Sequence, residues 1–174
     1  NNGSPPLVRS LKLLIYNHMD QTRLEKIRHS ICHLMSMAVI EIYPRAGLGV
    51  GPFIEDGFYQ DYDLPEGISG DIFPKLEKRI KEMIKEKIAF VGHDVNFTEA
   101  LKLYKHDPYK IELIEDLKKA GEKSVVFYKS GSFENLCKGP HVKNTSEIDP
   151  EAFKLTMVAG AYWRGSEKNK MLTR

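Results

Sequence analysis

Only two cysteines, Cys32 and Cys137, occur among the 174 residues of the chain. Two cysteines cannot form the disulfide framework that stabilises small secreted domains, so we expect a reducing, cytoplasmic environment in which both thiols are available for chemistry or metal binding. No apolar run approaches the roughly 20 residues that a membrane-spanning helix needs, and no signal-peptide pattern is present. These absences exclude a disulfide-stabilised module and lead us to expect no membrane partner.

The sequence also lacks an excess of charge of either sign. Residues 1–18 contain no acidic residue and run into His18-Met19, a dipeptide typical of a cloning site. We therefore interpret residues 1–18 as an expression remnant and residues 19–174 as the domain itself. Without Arg9 and Lys12, 24 basic residues balance 24 acidic ones. No overall positive field would attract a polyanion, so a nucleic-acid partner would have to bind a local patch.

The first predicted element is a helix over residues 22–43. Thr22 and Glu25 have the spacing of a capping box, and apolar residues then recur every three to four positions. From His29 to Ile40 there is no Asp, Glu, Lys or Arg. A helix that is apolar on nearly all sides is buried on nearly all sides, so we expect this helix to lie in the core.

Two β-hairpins are predicted further along the chain. Asp56-Gly57 is a strong turn signal within residues 49–64, and Ser130-Gly131 separates two short β-rich runs. The apolar run LTMVAGAYWRG near the end is typical of one more strand. The closing residues SEKNKMLTR are polar and end without a terminating signal.

Three shorter helices are predicted, starting at Pro74, starting at Phe97 and covering Lys110–Ala120. Helices and strands are mixed without strict alternation, which favours an α+β fold over a parallel sheet. We expect the long buried helix to pack against an antiparallel sheet built from the hairpins. The helical region 65–120 would form the smaller of two closely packed lobes.

His29 and His33 lie four residues apart in the first predicted helix, so their rings project from the same face. An isolated pair of this kind is more often two ordinary polar side chains at a helix edge. Here the surrounding segment contains no charged residue, which favours a functional interpretation.

Cys137 and His141 form a second close pair, separated by the turn-forming Gly139 and Pro140. The simpler interpretation is a buried cysteine at the end of a strand and a histidine in a loop. Together with the histidine pair, however, they would provide three imidazoles and a thiol. This set suits a tetrahedral zinc site, and it equally suits metal-free hydrolysis, because a neutral imidazole can activate water near neutral pH.

Lys110 is a further candidate, because an ammonium group can stabilise a developing oxyanion or bind a phosphate or ribose. Its simpler interpretation is a solvated surface lysine.

Four segments resemble motifs of bacterial-type threonyl-tRNA synthetases. RHSICHLMSMAV, from Arg28, resembles their RHSxAHLL, and GPFIEDGFYQDYDL, from Gly51, resembles their GPxIExGFYYDF. FENLCKGPHV, from Phe133, resembles their xTDLCRGPH, and VAGAYWRGSEKNKMLTR, from Val158, resembles their VAGAYWRGDSxNxMLQR. The motifs are in order and span Leu24–Arg174. They resemble the second N-terminal domain of that family, its editing domain, whose fold is shared with alanyl-tRNA synthetases.

The resemblance implies hydrolysis of the ester of seryl-tRNA(Thr), which a threonine–tRNA ligase forms by mistake during protein biosynthesis. Serine lacks one methyl group of threonine, which is worth only about 1–3 kcal/mol of discrimination, so fidelity needs a second, hydrolytic site. The implied partners are the acceptor end of tRNA(Thr) and the ligase domain of a homodimeric parent enzyme in cis. The ATP and zinc of that ligase domain belong to residues that we expect to be absent from this chain.

Carried over by position, the resemblance implies six site residues: His29, His33, Lys110, Asn135, Cys137 and His141. Asn135 stands where the family has an aspartate, and a neutral amide can orient a substrate group but cannot act as a base or form an ion pair. The related alanyl-tRNA domains hold zinc with a similar set, whereas the threonyl resemblance implies editing without a cofactor. Two alternatives stay open: an acceptor-end binding module that has lost editing, and a zinc-dependent deacylase.

Overall fold

The structure is a computed structural model that describes residues 6–174, with side chains from residue 22 onward. Its first helix, α1, spans Pro6–Ile42, so the predicted start at Thr22 is wrong and Thr22 lies inside the helix. Pro6, at the first helical position, fits the preference of helix starts for proline. The interpretation of residues 1–18 as an expression remnant stays a prediction, and residues 1–5 lie outside the described part.

The second half of α1 is buried on almost every side, as the sequence predicts. Apolar residues such as Ile31 and Leu34 are buried beside polar ones such as Ser30 and Ser36. Each fully buried leucine or isoleucine contributes about 1.5–3 kcal/mol to the free energy of unfolding. The polar residues on the same helix therefore need partners inside the domain, since water cannot reach them.

The strands form three antiparallel sheets. A four-stranded sheet has the order β1-β4-β9-β8, from Gly47–Leu48, Tyr62–Asp63, Met171–Thr173 and Gly160–Tyr162. A two-stranded sheet pairs β2 with β3, from Phe53–Ile54 and Gly57–Phe58. A three-stranded sheet has the order β5-β6-β7, from Phe90–Val95, Val125–Ser130 and Phe133–Leu136.

Both predicted hairpins are confirmed, each with a turn one residue away from the predicted dipeptide. Ile54 pairs with Gly57, so the first loop is Glu55-Asp56. Ser130 pairs with Phe133, which leaves Gly131 in the loop with a φ of 63°. That conformation favours glycine, because a Cβ atom would strain it.

Besides β1, which lies just before the predicted hairpin of residues 49–64, two strands were not predicted. In β5 only the terminal Phe90 and Val95 are buried, so the strand shows none of the alternation that marks a half-buried strand. It forms because all six of its residues pair with β6. The other, β9, has only three residues and closes the four-stranded sheet between β4 and β8.

The three shorter helices are confirmed, as α2 over Phe73–Lys85, α3 over Phe97–Leu103 and α4 over Pro108–Lys119. The cap of α3 is Asn96, whose side chain accepts a hydrogen bond from the Glu99 amide. Asp107 caps α4 in the same way through the Lys110 amide at 3.0 Å. This cap fixes the first turn of α4, which carries the Lys110 side chain.

Three hydrophobic clusters hold these elements together. The largest joins α1 to α2 and includes Val142 of the loop after β7. The second packs α3 and α4 against β5 and β6, and the third contains Tyr109, Trp163 and Leu172. The fold is α+β, as predicted. Among the described residues, no helix has a segment apolar and long enough to cross a bilayer.

Candidate functional site

Four of the predicted residues meet at one point. One nitrogen or sulfur atom from each of His29, His33, Cys137 and His141 lies within 4.8 Å of the other three, and we call this group the His/Cys cluster. Two members come from α1 and two from the loop after β7, more than 100 residues later in the chain. The ring centroid of His141 is 4.2 Å from that of His29 and 4.3 Å from that of His33.

The loop after β7 is shaped by a glycine and anchored on α1. Cys137 still belongs to the ladder, because its amide donates to the Val126 carbonyl at 2.9 Å. Gly139 then turns the chain with a φ of 71°, and a Cβ atom there would lie 2.7 Å from the Tyr128 hydroxyl oxygen. The Val142 amide donates to Ser30 Oγ at 3.1 Å. These contacts hold the thiol and His141 against the two rings of α1.

Cys137 is the centre of the hydrogen bonding in the His/Cys cluster. Its Sγ lies 3.3 Å from Nε2 of His29 and 3.3 Å from Nε2 of His141. The Gly139 amide donates to the same sulfur at 3.3 Å. His29 Nδ1 donates to the Pro140 carbonyl at 3.1 Å, so its Nε2 carries a lone pair and accepts the thiol proton.

Burial keeps the cluster uncharged at neutral pH. It lowers the pKa of His29, lowers the pKa of His33 to about 3, and holds the pKa of His141 well below the ordinary histidine value. It also raises the pKa of the Cys137 thiol. The neighbouring imidazoles add to the effect on His33 and His141, because two positive charges so close together repel each other.

His33 has an unused polar atom. Its Nδ1 is buried and has no hydrogen-bond partner among the described residues. A buried unpaired nitrogen costs about 1–3 kcal/mol of stability. Such an atom beside a partly exposed thiol is suited to bind a water molecule or a polar group of a ligand.

Lys110 is buried, so its interpretation as a surface lysine is wrong. Its side chain is 3% exposed, and its Nζ donates to the Gly49 carbonyl at 3.4 Å. Burial lowers the pKa of Lys110 to about 8, and the opposing effects of Asp107 and Cys137 only partly offset the burial. Its charge also contributes to the low pKa of His33, so the ammonium acts electrostatically on the His/Cys cluster.

Comparison with known proteins gives a consistent result. The family described as the threonyl and alanyl tRNA synthetase second additional domain matches residues 125–174. Threonine–tRNA ligases of Borrelia turicatae and Borrelia hermsii are each 50% identical over 151 residues, and that of Borreliella burgdorferi is 47% identical. Each alignment covers 87% of this chain.

The chain matches threonine–tRNA ligases over most of its length and the second additional domain of threonyl and alanyl tRNA synthetases over residues 125–174. It spans 26% of the length of the curated relatives it matches. The resemblance drawn from the four motifs is thereby confirmed. The match to the second additional domain covers Asn135, Cys137 and His141, whereas the α1 histidines and Lys110 come from the part of the chain that precedes it.

Asn135, the residue that departs from the family motif, is held away from the cluster's hydrogen bonds. It lies on β7 two residues before Cys137, so both side chains leave the strand on the same face. Its Oδ1 accepts from the Tyr104 hydroxyl at 3.3 Å, and that hydroxyl accepts from the Leu136 amide at 2.9 Å. Its Nδ2 has no protein partner among the described residues and is a free donor.

The His/Cys cluster has the residue types of a zinc site, and its hydrogen bonding sets a condition on His141. Three nitrogens and one sulfur within 4.8 Å have the composition and the spacing of a tetrahedral zinc site. A histidine binds zinc through a nitrogen lone pair, and His29 Nε2 offers one. At His141, Ser30 Oγ lies 3.1 Å from Nδ1 and can donate to it or accept from it, depending on the tautomer of the ring. A metal bound through His141 Nε2 requires the tautomer in which Nδ1 donates to Ser30 Oγ.

Sequence reasoning did not find Ser30 or Tyr104. Both act through hydrogen bonds to residues far along the chain, and neither stands in a motif of its own. Cys32 lies outside the His/Cys cluster. Its thiol donates to the backbone carbonyls of Tyr59 and Gly51, at 3.2 and 3.4 Å.

Two surface grooves are formed by residues outside the His/Cys cluster. One, of about 660 Å³, is lined by Tyr104, Asp107, Tyr109 and the neighbouring ends of β1 and β4. The other, of about 710 Å³, runs along the apolar side of α1 and under residues 152–159. Both are lined by residues other than the His/Cys cluster, and the cluster reaches solvent through the partly exposed Cys137.

Proposed function

We propose that this domain hydrolyses the ester bond of seryl-tRNA(Thr) and so removes serine attached by mistake to the tRNA of threonine. The observation that carries the proposal is the His/Cys cluster with the buried Lys110 beside it, in a chain that matches threonine–tRNA ligases over most of its length. The implied editing role of the six site residues is part of this proposal.

The reaction needs a base for water and a positive charge for the oxyanion. Water attacks the ester carbonyl carbon and passes its proton to the Cys137 sulfur as the thiol proton moves to His29 Nε2, the neutral imidazole nitrogen that accepts it. Lys110 stabilises the negative charge that develops on the carbonyl oxygen. The bond to the terminal ribose oxygen then breaks, and that oxygen takes the proton from the imidazolium. The products are free serine and tRNA with an intact 3′ end.

Asn135 supplies the contact to the amino acid in this proposal. Its free Nδ2 donates to the hydroxyl or the carbonyl oxygen of the seryl group. A site that admits serine and rejects threonine must exclude a single additional methyl group, which close packing against the buried rings of the cluster would achieve.

The longer relatives support the proposed substrate and the proposed parent enzyme. Their name, threonine–tRNA ligase, describes an enzyme that attaches threonine to tRNA. We propose that this domain acts in cis within such a ligase, in the cytoplasm and in a homodimeric parent, and takes the acceptor end of tRNA(Thr) from the ligase site.

Two observations favour alternative functions. The neutral Asn135 in place of an aspartate favours a binding module that holds the acceptor end without hydrolysing it. The spacing of the His/Cys cluster favours a zinc-dependent deacylase.

One assay separates the three functions. Seryl-tRNA(Thr) and threonyl-tRNA(Thr) are incubated with the full-length protein and with this chain, each before and after treatment with a chelator. Loss of the seryl ester alone, unaffected by the chelator, supports the proposal. Binding without loss of either ester indicates the non-catalytic module, and loss that the chelator prevents indicates the zinc enzyme.

A further inference from the structure

Ser30 lies next to His29 on α1 and is fully buried. Its Oγ is 3.1 Å from Nδ1 of His141 and accepts the Val142 amide proton at 3.1 Å. It is therefore the contact through which α1 touches the far side of the His141 ring.

The proton of the Ser30 hydroxyl has one available position. A serine hydroxyl has one proton to donate and two lone pairs, one of which accepts from the Val142 amide. Within the described part of the chain, His141 Nδ1 is the acceptor that lies within hydrogen-bond distance of Ser30 Oγ. A buried hydroxyl proton without an acceptor is destabilising, so the tautomer in which Nδ1 carries a lone pair and accepts this proton is favoured. A neutral imidazole with a lone pair on Nδ1 carries its proton on Nε2.

This tautomer sets the direction of every hydrogen bond in the cluster. The Nε2 proton of His141 points to Cys137 Sγ at 3.3 Å, where the Gly139 amide also donates. The thiol proton is then directed to His29 Nε2, which is free to accept it because His29 Nδ1 donates to the Pro140 carbonyl. The bonds run in one direction, from Ser30 through His141, Cys137 and His29 to the Pro140 carbonyl.

We propose that Ser30 is a positioning residue that fixes His141 as the Nε2-protonated tautomer and so orients this chain of hydrogen bonds. The lone pair of His29 Nε2 becomes the proton-accepting site of the cluster, and His141 is unable to bind a metal through Nε2. The tautomer stands on geometry alone, whereas its effect on hydrolysis rests on the proposed function.

Nitrogen NMR of the chain with labelled histidine tests the tautomer directly. We expect His141 Nε2 to carry a proton and Nδ1 to have the resonance of an unprotonated ring nitrogen. In Ser30→Ala the donor to Nδ1 is lost, and we expect a mixture of tautomers or a shift of the proton to Nδ1. A proton on Nδ1 of His141 in the unsubstituted chain would by itself overturn the proposal. The proposal would also be overturned if Ser30→Ala folds and His141 keeps the same tautomer.

Ser36→Ala is the matched control. Ser36 is also buried on α1, and its hydroxyl donates to the Cys32 carbonyl at 3.1 Å and lies near Gln60, outside the His/Cys cluster. Its substitution removes a buried hydroxyl of the same kind and should leave the His141 resonances unchanged. A tautomer change of equal size in Ser36→Ala would show that Ser30 acts only through general packing, and would overturn the proposal.

Zinc ions and kinetics complete the test. Added zinc alone should leave the His141 resonances in place, and saturable zinc binding at His141 Nε2 would overturn the proposal. Ser30→Ala should lower kcat for seryl-tRNA(Thr) hydrolysis roughly tenfold, which the loss of one hydrogen bond can account for, with less change in KM. If the unsubstituted protein hydrolyses nothing, the proposed function fails, while the NMR result still decides the role of Ser30.

Discussion

The site has two sides that are held in different ways. On the α1 side, His29 and His141 use both ring nitrogens in bonds inside the protein, so the cluster is a closed group around Cys137. On the side of α3, α4 and β7, Lys110 and Asn135 are each held by one bond and keep further donors free. The difference indicates that the α1 side is arranged for proton transfer, while the other side is available to contact the substrate.

His29→Ala should have the largest effect, because it removes the imidazole nitrogen that accepts the thiol proton in the His/Cys cluster. Loss of a general base costs about 10²–10⁴-fold in rate. This loss is measured as the rate of seryl-tRNA(Thr) hydrolysis by the variant relative to the unsubstituted protein. The exposed His106→Ala and Lys87→Ala serve as controls and should leave the rate nearly unchanged. Equal losses in all three variants would contradict the assignment of the α1 side.

Lys110→Met should lower the rate by roughly 10²-fold, since it removes the charge that stabilises the oxyanion. It should also stabilise the fold at pH 7. A lysine pKa lowered from 10.5 to about 8 corresponds to roughly 3 kcal/mol of burial cost, which methionine does not carry. Urea unfolding measures the stability, with the exposed Lys118→Met on the same helix as the control.

The pH dependence of this effect has a definite sign. The folded state binds the Lys110 proton less tightly than the unfolded chain, so the cost is fully present below about pH 8 and disappears as the pH rises toward 10.5. The stability advantage of Lys110→Met should therefore shrink above pH 8. Over the same range, the rate of the unsubstituted protein should fall as the ammonium loses its charge. A stability advantage that is constant with pH would contradict the buried-charge account of Lys110.

Asn135→Asp should raise the rate of seryl-tRNA(Thr) hydrolysis up to about tenfold. A carboxylate would pair with the ammonium of the seryl group, and bonds to charged groups are roughly twice as strong as neutral ones. The variant should also lose activity in acid as the carboxylate is protonated, which the amide cannot do. The pH–rate profiles of the two proteins measure both effects. Identical profiles would place Asn135 outside the substrate contacts.

Tyr104→Phe should have the smallest effect. It leaves the Leu136 amide and Asn135 Oδ1 without their partner, at a cost of about 1–3 kcal/mol in the free energy of unfolding. As a single substitution, Tyr104→Phe should lower the rate of seryl-tRNA(Thr) hydrolysis a few-fold, because the Asn135 side chain becomes free to rotate. Tyr162→Phe, at an exposed tyrosine, is the control. A rate loss as large as that of His29→Ala would show that the two sides of the site are not separable.

Periodicity in the sequence predicted the elements that bury a regular stripe. The buried segment of α1 was found in this way, and α2, predicted to start at Pro74, buries the stripe of Leu76, Ile80, Met83 and Ile84. The strand β5 was not, because four of its six residues are exposed and its pairing with β6 is decided by the tertiary fold. The start of α1 was misplaced because Pro6, a helix-start signal, lies in the segment that was interpreted as foreign.

The site was predictable to the extent that its residue types are rare. Histidine and cysteine in two close pairs, together with the family motifs, identified the four members of the cluster before the fold was known. Ser30 and Tyr104 could not be found, because serine and tyrosine are common and their partners lie 111 and 31 or 32 residues away. The burial of Lys110 likewise depends on β1, β4 and α4 coming together.

The most direct test of the account is the ratio of the rates at which the chelator-treated, full-length protein hydrolyses seryl-tRNA(Thr) and threonyl-tRNA(Thr). We predict rapid loss of the seryl ester, with the threonyl ester stable over the same time. Equal loss of both esters, or a seryl ester that survives until zinc is restored, would contradict the assignment of a metal-free, serine-selective hydrolase to the His/Cys cluster.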